Sequence, residues 1–229
     1  MRYLFLFLIG VFFTQTTKAQ IYEVGLFVGG SNFIGDVGAT NYISPNQLAI
    51  GGVFKWNRSP RHSFRASIMF SDLEGIDGKS DDPRRIQRGY EFNTSIFEFS
   101  AGMEFTFFDF DLHDSRPKYT PYLYTGISVA NHDNYFFNQN GERISENTSS
   151  WAYGIPMVLR FKSNIAPHLV LSAEIGARYT FSDELDGSVP DSESREAFSF
   201  GNTNSNDWYV FSGITLTYTF GRRPCYCNF

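Results

Sequence analysis

The sequence predicts an all-β chain: eight antiparallel strands closed into a barrel that spans a membrane. Three observations carry this. The segment 207–220 alternates with period two, placing Trp208, Val210, Ser212, Ile214, Leu216, Tyr218 and Phe220 on one face and Tyr209, Phe211, Gly213, Thr215, Thr217 and Thr219 on the other. Its apolar face begins and ends in aromatics and exceeds the roughly 9–11 residues that a tilted strand needs to cross a bilayer. Seven earlier stretches alternate in the same way, and the connections between strands are alternately long and shorter, as in barrels with long loops at one end and turns at the other. Aromatics make up 18% of the chain while mean hydropathy is only −0.25, which fits an aromatic-girdled belt diluted by a polar lumen and polar loops.

The chain opens with Arg2, an apolar run from Leu4 to Phe13 and a polar exit ending Thr17-Lys18-Ala19. This reads as a secretory signal peptide over residues 1–19, because the run is too short for a membrane-spanning helix. Cleavage after Ala19 leaves residues 20–220 as the barrel and 221–229 as a tail. No later stretch is apolar for 18 residues, and a net charge of −5 without a basic patch argues against a nucleic-acid partner. The only cysteines are Cys225 and Cys227, so no disulfide framework spans the fold.

Period-two patterning then places each strand. The first, Ile21–Gly29, turns Tyr22, Val24, Leu26 and Val28 outward and Glu23, Gly25, Phe27 and Gly29 inward. The second, Leu48–Trp56, shows Leu48, Ile50, Phe54 and Trp56 outward, with Val53 and Lys55 inward. After the turn Asn57–Arg61, the third, His62–Ser71, sets Phe64, Ala66, Ile68 and Phe70 against Arg65, Ser67 and Met69. The fourth, Asn93–Phe108, alternates Phe97, Phe99, Ala101, Met103, Phe105 and Phe107 with Glu98, Ser100, Gly102, Glu104 and Thr106. The fifth, Tyr119–Ala130, carries Leu123, Thr125, Ile127 and Val129 outward. The sixth, Trp151–Lys162, carries Trp151, Tyr153, Ile155, Met157, Leu159 and Phe161 outward, and Pro156 within it predicts a bulge or a missing ladder bond. The seventh, His168–Phe181, turns Leu169, Leu171, Ala173, Ile175, Ala177, Tyr179 and Phe181 outward. The connections near 30–47, 72–90, 131–150 and 182–206 read as long polar loops facing the cell exterior. Both chain ends and the turns near Ser59, His113 and Asn164 then fall on the periplasmic side.

The inward face carries Glu23, Glu98, Glu104 and Glu174 against Lys55, Arg65, Arg160, Lys162 and Arg178. An eight-stranded barrel is only wide enough for its own side chains, and buried charges require partners, so these nine residues are expected to interlock as a structural salt-bridge plug. An ion-conducting or proton-relay path is the alternative.

Other clusters bear less chemistry. His132-Asp133 with Ser145 or Ser149 nearby could be imagined as a lipid-modifying hydrolase, but no motif supports it. Asp183, Asp186, Asp191 and Glu193 supply carboxylates for Ca²⁺ without the spacing of a known loop, so a solvated acidic loop is expected. Asp36 reads as a turn residue. Cys225-Tyr226-Cys227 offers too few ligands for zinc and reads as a local disulfide or a tail that packs on a partner. No catalytic residues, cofactor, metal or small-molecule substrate are expected.

The chain resembles the PorG-like outer-membrane β-barrel family of the type IX secretion system. The resemblance rests on Val24-Gly25-Leu26-Phe27-Val28-Gly29-Gly30 running to Phe33-Ile34-Gly35-Asp36, on the Phe-rich stretch from Phe97 to Phe105, and on Thr120-Pro121-Tyr122-Leu123-Tyr124-Thr125-Gly126. It continues in Gly154-Ile155-Pro156-Met157 and Thr180-Phe181-Ser182-Asp183-Glu184-Leu185-Asp186, where Glu184 and Gly187 depart from the commoner Asp-Tyr-Leu-Asp-Asp pattern. It implies a non-enzymatic barrel of OmpA-like size in the outer membrane, anchoring a periplasmic ring complex that contains a lipoprotein. By position, partner contacts are expected from the periplasmic side: Asp109, Asp111 and Lys118 in one turn and Arg222, Arg223, Cys225 and Cys227 in the tail. An OmpA- or OmpX-like adhesion or membrane-stability barrel, working through its outer loops, is the alternative.

Overall fold

The computed structural model describes residues 21–112, 118–202 and 205–221. The signal peptide, His113 and the tail residues Arg222, Arg223, Cys225 and Cys227 lie outside them. Eight strands, β1 (Ile21–Ile34), β2 (Gln47–Asn57), β3 (His62–Ile76), β4 (Glu91–Thr106), β5 (Tyr119–Phe137), β6 (Arg143–Ala166), β7 (Leu169–Thr180) and β8 (Trp208–Gly221), pair in sequence order. β8 closes on β1, antiparallel throughout, so the ring has no edge.

Following paired residues once round the ring measures its shear. Tyr22 faces Trp56, and the path continues through Phe64, Met103, Thr125, Met157, Ala177 and Val210 before returning to β1 at Asn32, ten residues above its start. With a rise of about 3.3 Å per residue and strands about 4.7 Å apart, that shear tilts the strands by roughly 40°. Trp208 and Phe220 then lie roughly 30 Å apart along the axis, the thickness of a bilayer's hydrocarbon core.

The exterior is an apolar belt. Leu26 is 70% exposed and Val24, Phe99, Leu159, Ile175 and Leu216 are also exposed, while their neighbours along each strand are inward. Aromatic pairs rim both ends of the belt: Tyr22–Phe54, Trp56–Phe64 and Tyr119–Phe161 near the turns, Phe70–Phe97 and Tyr179–Trp208 near the long connections. Closure, belt and girdles together are those of a transmembrane barrel. No helix is long and apolar enough to cross a membrane, which is irrelevant to a chain that crosses with strands.

The predicted faces hold on all eight strands, with one local exception. Val210 has outward parity yet is buried beside Asn32, whose side chain donates to Asn41 O and accepts from Ser44 N. The β1–β2 connection therefore folds back over the belt at this point. Pro156 produces the missing bond rather than a bulge. The β5–β6 ladder passes from Thr125–Met157 to Ser128–Gly154 with its register unchanged, opening beside a residue that has no N–H to donate. The real bulge lies higher, where Asp133 faces Ser149 but Tyr135 faces Ser145, and Asn147 takes φ 56° to absorb the extra residues.

The long connections differ most from expectation. The segment read as a loop over 131–150 is mostly a continuation of the β5–β6 hairpin, and β3 and β4 likewise extend into the segment read as loop 72–90. The extensions continue because they bury aromatics: Tyr135, Phe136 and Phe137 on β5 and Phe92 on β4 are inside. Between β3 and β4 stand a 3-10 turn (Asp77–Lys79) and the six-residue helix α1 (Pro83–Arg88). Asp82 caps α1 by accepting from Arg84 N at 2.9 Å, Pro83 opens it, and Gly89 ends it at φ 71°.

Register fixes a stability test. Ile175 is exposed near mid-belt, Leu171 lies nearer the turn end, and Ser172 is buried between them in sequence. Ile175→Arg is expected to cost roughly 2–4 kcal/mol, Leu171→Arg less, and Ser172→Ala least. Denaturant titration of folding into lipid vesicles measures all three, and equal costs would contradict the assigned faces.

Candidate functional site: a charged interior beneath an acidic cap

Tilt and parity bring side chains from every strand to one axis. All nine predicted lumen charges point there, none more than 3% exposed. Glu104 is the hub of the turn half. Its carboxylate lies 3.1 Å from Lys55 Nζ, 3.6 Å from Arg65 Nη1 and 3.7 Å from Arg160 Nη1. Glu174 takes the other sides of the two arginines, at 3.5 Å from Arg65 and 2.5 Å from Arg160, and accepts from Thr215 Oγ1 at 3.0 Å. Neither Glu104 oxygen has a well-angled hydrogen bond, so this hub is held by charge more than by direction.

Two satellites flank it. Nearer the turns, Glu23 accepts from Asn57 Nδ2 at 2.9 Å and Thr217 Oγ1 at 2.7 Å. Lys162 lies 4.6 Å from the centre of the Phe110 ring, which is buried at the turn end. Nearer the middle, Glu98 meets Arg178 Nε at 3.1 Å and accepts from Tyr209 Oη at 2.6 Å. Arg178 also donates to Gly176 O at 2.7 Å. A side chain at 176 would occupy the space that its guanidinium fills. The lumen is thus packed with side chains rather than lined as a channel.

Above Glu98 the interior changes character. Phe27, Met69, Leu73, Phe92, Tyr135 and Phe211 belong to an aromatic-rich cluster that fills the loop half, with Tyr90 and Phe200 packed on it. Three connections close over it, and carboxylates tie them. Asp186 accepts from Asp36 N at 2.7 Å, Val37 N at 3.0 Å and Ser188 N at 2.9 Å. Asp207 accepts from Leu185 N at 3.0 Å, and Asp36 from Asn202 N at 2.8 Å. Asp77 accepts from Gly38 N and Tyr90 N and pairs with Arg88 at 2.7 Å. Arg88 also donates to Asp36 O and lies 4.9 Å from the ring centres of both Tyr90 and Phe200.

These cap residues are what sequence reading missed. Asp36 is a tie between connections rather than a simple turn residue, and Asp186 is buried rather than solvated. The sequence marks Asp77, Arg88 and Asp207 only weakly, by a carboxylate just before a β-strand and an arginine two residues before Tyr90. Among the described residues, no group of three or more His, Cys, Asp or Glu side chains is arranged to hold a metal ion.

Burial first, and then the neighbouring Asp186, Asp36 and Glu184, push the Asp183 carboxyl up to about 7. Burial followed by Asp186 and Asp183 pushes Asp207 well above the carboxylate range, and burial raises Asp186 despite its donors.

The remaining predicted residues are dispersed. His132 points inward, buried, while Asp133 and Ser149 are exposed on the opposite face, so the imagined hydrolase group does not assemble. At the turn end, Asp109 Oδ1 lies 2.5 Å from Arg61 Nε on an exposed rim. Lys118 N donates to Asn164 Oδ1, and Asp111 lies on the same side of the barrel, just before residues 113–117.

Two tests follow from this geometry. Glu104→Gln removes the one carboxylate bridged to buried Lys55 and leaves Arg65 and Arg160 to Glu174 alone, at an expected cost of roughly 3–5 kcal/mol, whereas Arg61→Ala on the exposed rim should cost below about 1 kcal/mol, both read by denaturant titration. A carboxyl whose folded pKa is raised binds its proton more tightly when folded, so its contribution is complete below the unfolded value and is lost as pH rises through the folded one. The cap should therefore loosen between about pH 4 and 7, the window set by Asp183. Hydrogen exchange over 181–207, corrected for intrinsic rates, should show it, with a flattened pH response in Asp183→Asn and Asp207→Asn.

Several solved structures share the architecture at low identity. A major outer membrane protein from Thermus thermophilus matches at 14% identity and TM-score 0.48, covering 88% of this chain and 100% of that one. Ail, the attachment invasion locus protein of Yersinia pestis, solved with the heparin analogue sucrose octasulfate, matches at 9% identity and TM-score 0.45, covering 89% of this chain and 100% of that one. Neisserial surface protein A matches at 10% and TM-score 0.43, over 88% of this chain and 96% of its own. No curated protein matches the chain. A family model does, over residues 2–229, nearly the whole sequence: the chain belongs to DUF6089, a domain of unknown function.

Proposed function

We propose that this barrel is the non-catalytic outer-membrane component of a type IX protein secretion machine, anchoring a periplasmic, lipoprotein-containing ring through its turn end. The observation that carries the reading is the filled lumen. With Glu104, Glu174 and their cations packed on the axis and Phe110 buried beneath, the barrel can act only through its surfaces. The PorG-like motifs favour the turn end over the cap. Gly221 pairs with Ile21 at that end, so residues 222–229 continue from the rim that also carries Arg61 and Asp109. Arg222 and Arg223 suit an acidic periplasmic partner, and Cys225 and Cys227 would fix the shape of the tail.

One observation favours the adhesion or membrane-stability alternative. Tyr42 is 80% and Ile43 58% exposed on the part of the β1–β2 connection that folds back over the belt, apolar side chains held at the loop-end rim of the barrel.

The test compares two variants in the native membrane. Changing Arg222 and Arg223 to Glu and Cys225 and Cys227 to Ser should leave heat-modifiable gel mobility intact but abolish co-purification of the ring and secretion. Tyr42→Ser with Ile43→Ser should leave both unchanged. Retained partners and secretion in the tail variant would overturn the anchor reading.

A further inference from the structure

The exterior is not uniform at the loop-end girdle. A groove of about 500 Å³ crosses β2, β3, β4 and β5 there. Its floor is Ile50 and the Phe70–Phe97 pair, whose ring centres lie 5.0 Å apart. Its upper edge carries Asp72, Asn131 and Asp133, with Ser95 beside Asp72. The floor belongs to the aromatic girdle, so the groove straddles the boundary between acyl chains and headgroups.

The edge has an unusual hydrogen-bonding balance. Its polar side chains already bond to neighbours within the wall: Ser95 Oγ to Asp72 Oδ1 at 2.7 Å, Asn131 Nδ2 to Ser150 O at 3.1 Å, and Gln47 Nε2 to Glu74 at 2.6 Å. The hydroxyl of Ser71 likewise has its partners in Ser31 and Leu48 O. No lysine or arginine lines the groove, and Lys79, nearby in the chain, pairs with Glu74 at 3.3 Å. What the edge offers is acceptors and negative charge. An anionic head would be repelled by Asp72 and Asp133; a protonated primary amine brings three N–H donors and the opposite charge.

We propose that this groove binds a membrane lipid with a primary-amine headgroup, the ammonium between Asp72 and Asp133 and the proximal acyl chain on Ile50, Phe70 and Phe97. A volume near 500 Å³ accommodates a headgroup and the first methylenes, within the size range of small-molecule sites. The proposal is independent of any role in secretion, since it concerns the opposite end of the barrel from the tail.

The purified full-length barrel in non-ionic detergent is offered phosphatidylethanolamine, phosphatidylglycerol or phosphatidylcholine with identical chains, and retained lipid is counted by native mass spectrometry. Phosphatidylethanolamine should be retained about tenfold better than phosphatidylglycerol. Phosphatidylcholine should fall below phosphatidylethanolamine, because its quaternary ammonium has no N–H. Asp72→Asn with Asp133→Asn should abolish the preference, and Glu91→Gln, an exposed carboxylate outside the groove, should preserve it. Equal retention of phosphatidylethanolamine with either other lipid by the unaltered protein would overturn the proposal. So would a preference that survives the double substitution in a barrel of normal heat-modifiable mobility. If the double variant fails to fold, the three-lipid comparison on the unaltered protein decides.

Discussion

Closure of the ladder is the constraint from which the rest follows. A shear of ten residues over eight strands leaves every side chain either on the lipid face or on one narrow axis. The backbone is satisfied by the ring itself, so the interior is free to carry charge only if that charge is internally paired. Seven of the nine lumen acids and bases, drawn from five strands, meet that condition through shared ion pairs, while Glu23 accepts from Asn57 and Thr217 and Lys162 lies over the Phe110 ring. Glu104 and Glu174 each serve more than one cation, an arrangement that packs more positive than negative side chains into the same column.

The interior is divided along its length. The turn half is ionic, while the loop half is an aromatic core of the kind found in soluble domains, roofed by three connections. The division reflects where water can reach. In the turn half the closed wall and Phe110 exclude it, and the charges rely on one another. At the other end the strands run on past the girdle. An apolar core there removes the exposed aromatic surface that such extensions would otherwise present.

The belt, the strand order and the lumen charges were legible because each depends on local parity, a signal repeated along every strand. Lys55 and Glu104 can be assigned inward from their immediate neighbours alone. The cap was not legible because its determinants are non-local. Asp186 and Asp36 are separated by 150 residues, and nothing near either announces the other. The segment 131–150 is hard to read for a related reason: its asparagines and serines have loop composition, and after the buried His132 and Asn134 the run Tyr135–Phe137 is buried on both faces, so no alternation marks it as strand. Pro156 was legible as a disturbance. Whether it would shift register or merely open the ladder depended on neighbouring strands, whose side chains were committed to the lumen on both sides of it.

Barrel and cap are therefore held by different forces. Moving Glu104 to the lipid face would require a strand to slip by one residue, which would turn every other side chain of that strand with it. The cap has no such lock. Its connections meet through a few carboxylates accepting backbone N–H groups, and those carboxylates crowd one another: burial and mutual charge raise Asp183, Asp186 and Asp207 together. The same carboxylates that join the connections thus set the limit on how tightly they can be joined. Any process that opens this molecule should begin at the Asp36–Asp186 contact and leave the ring beneath it closed.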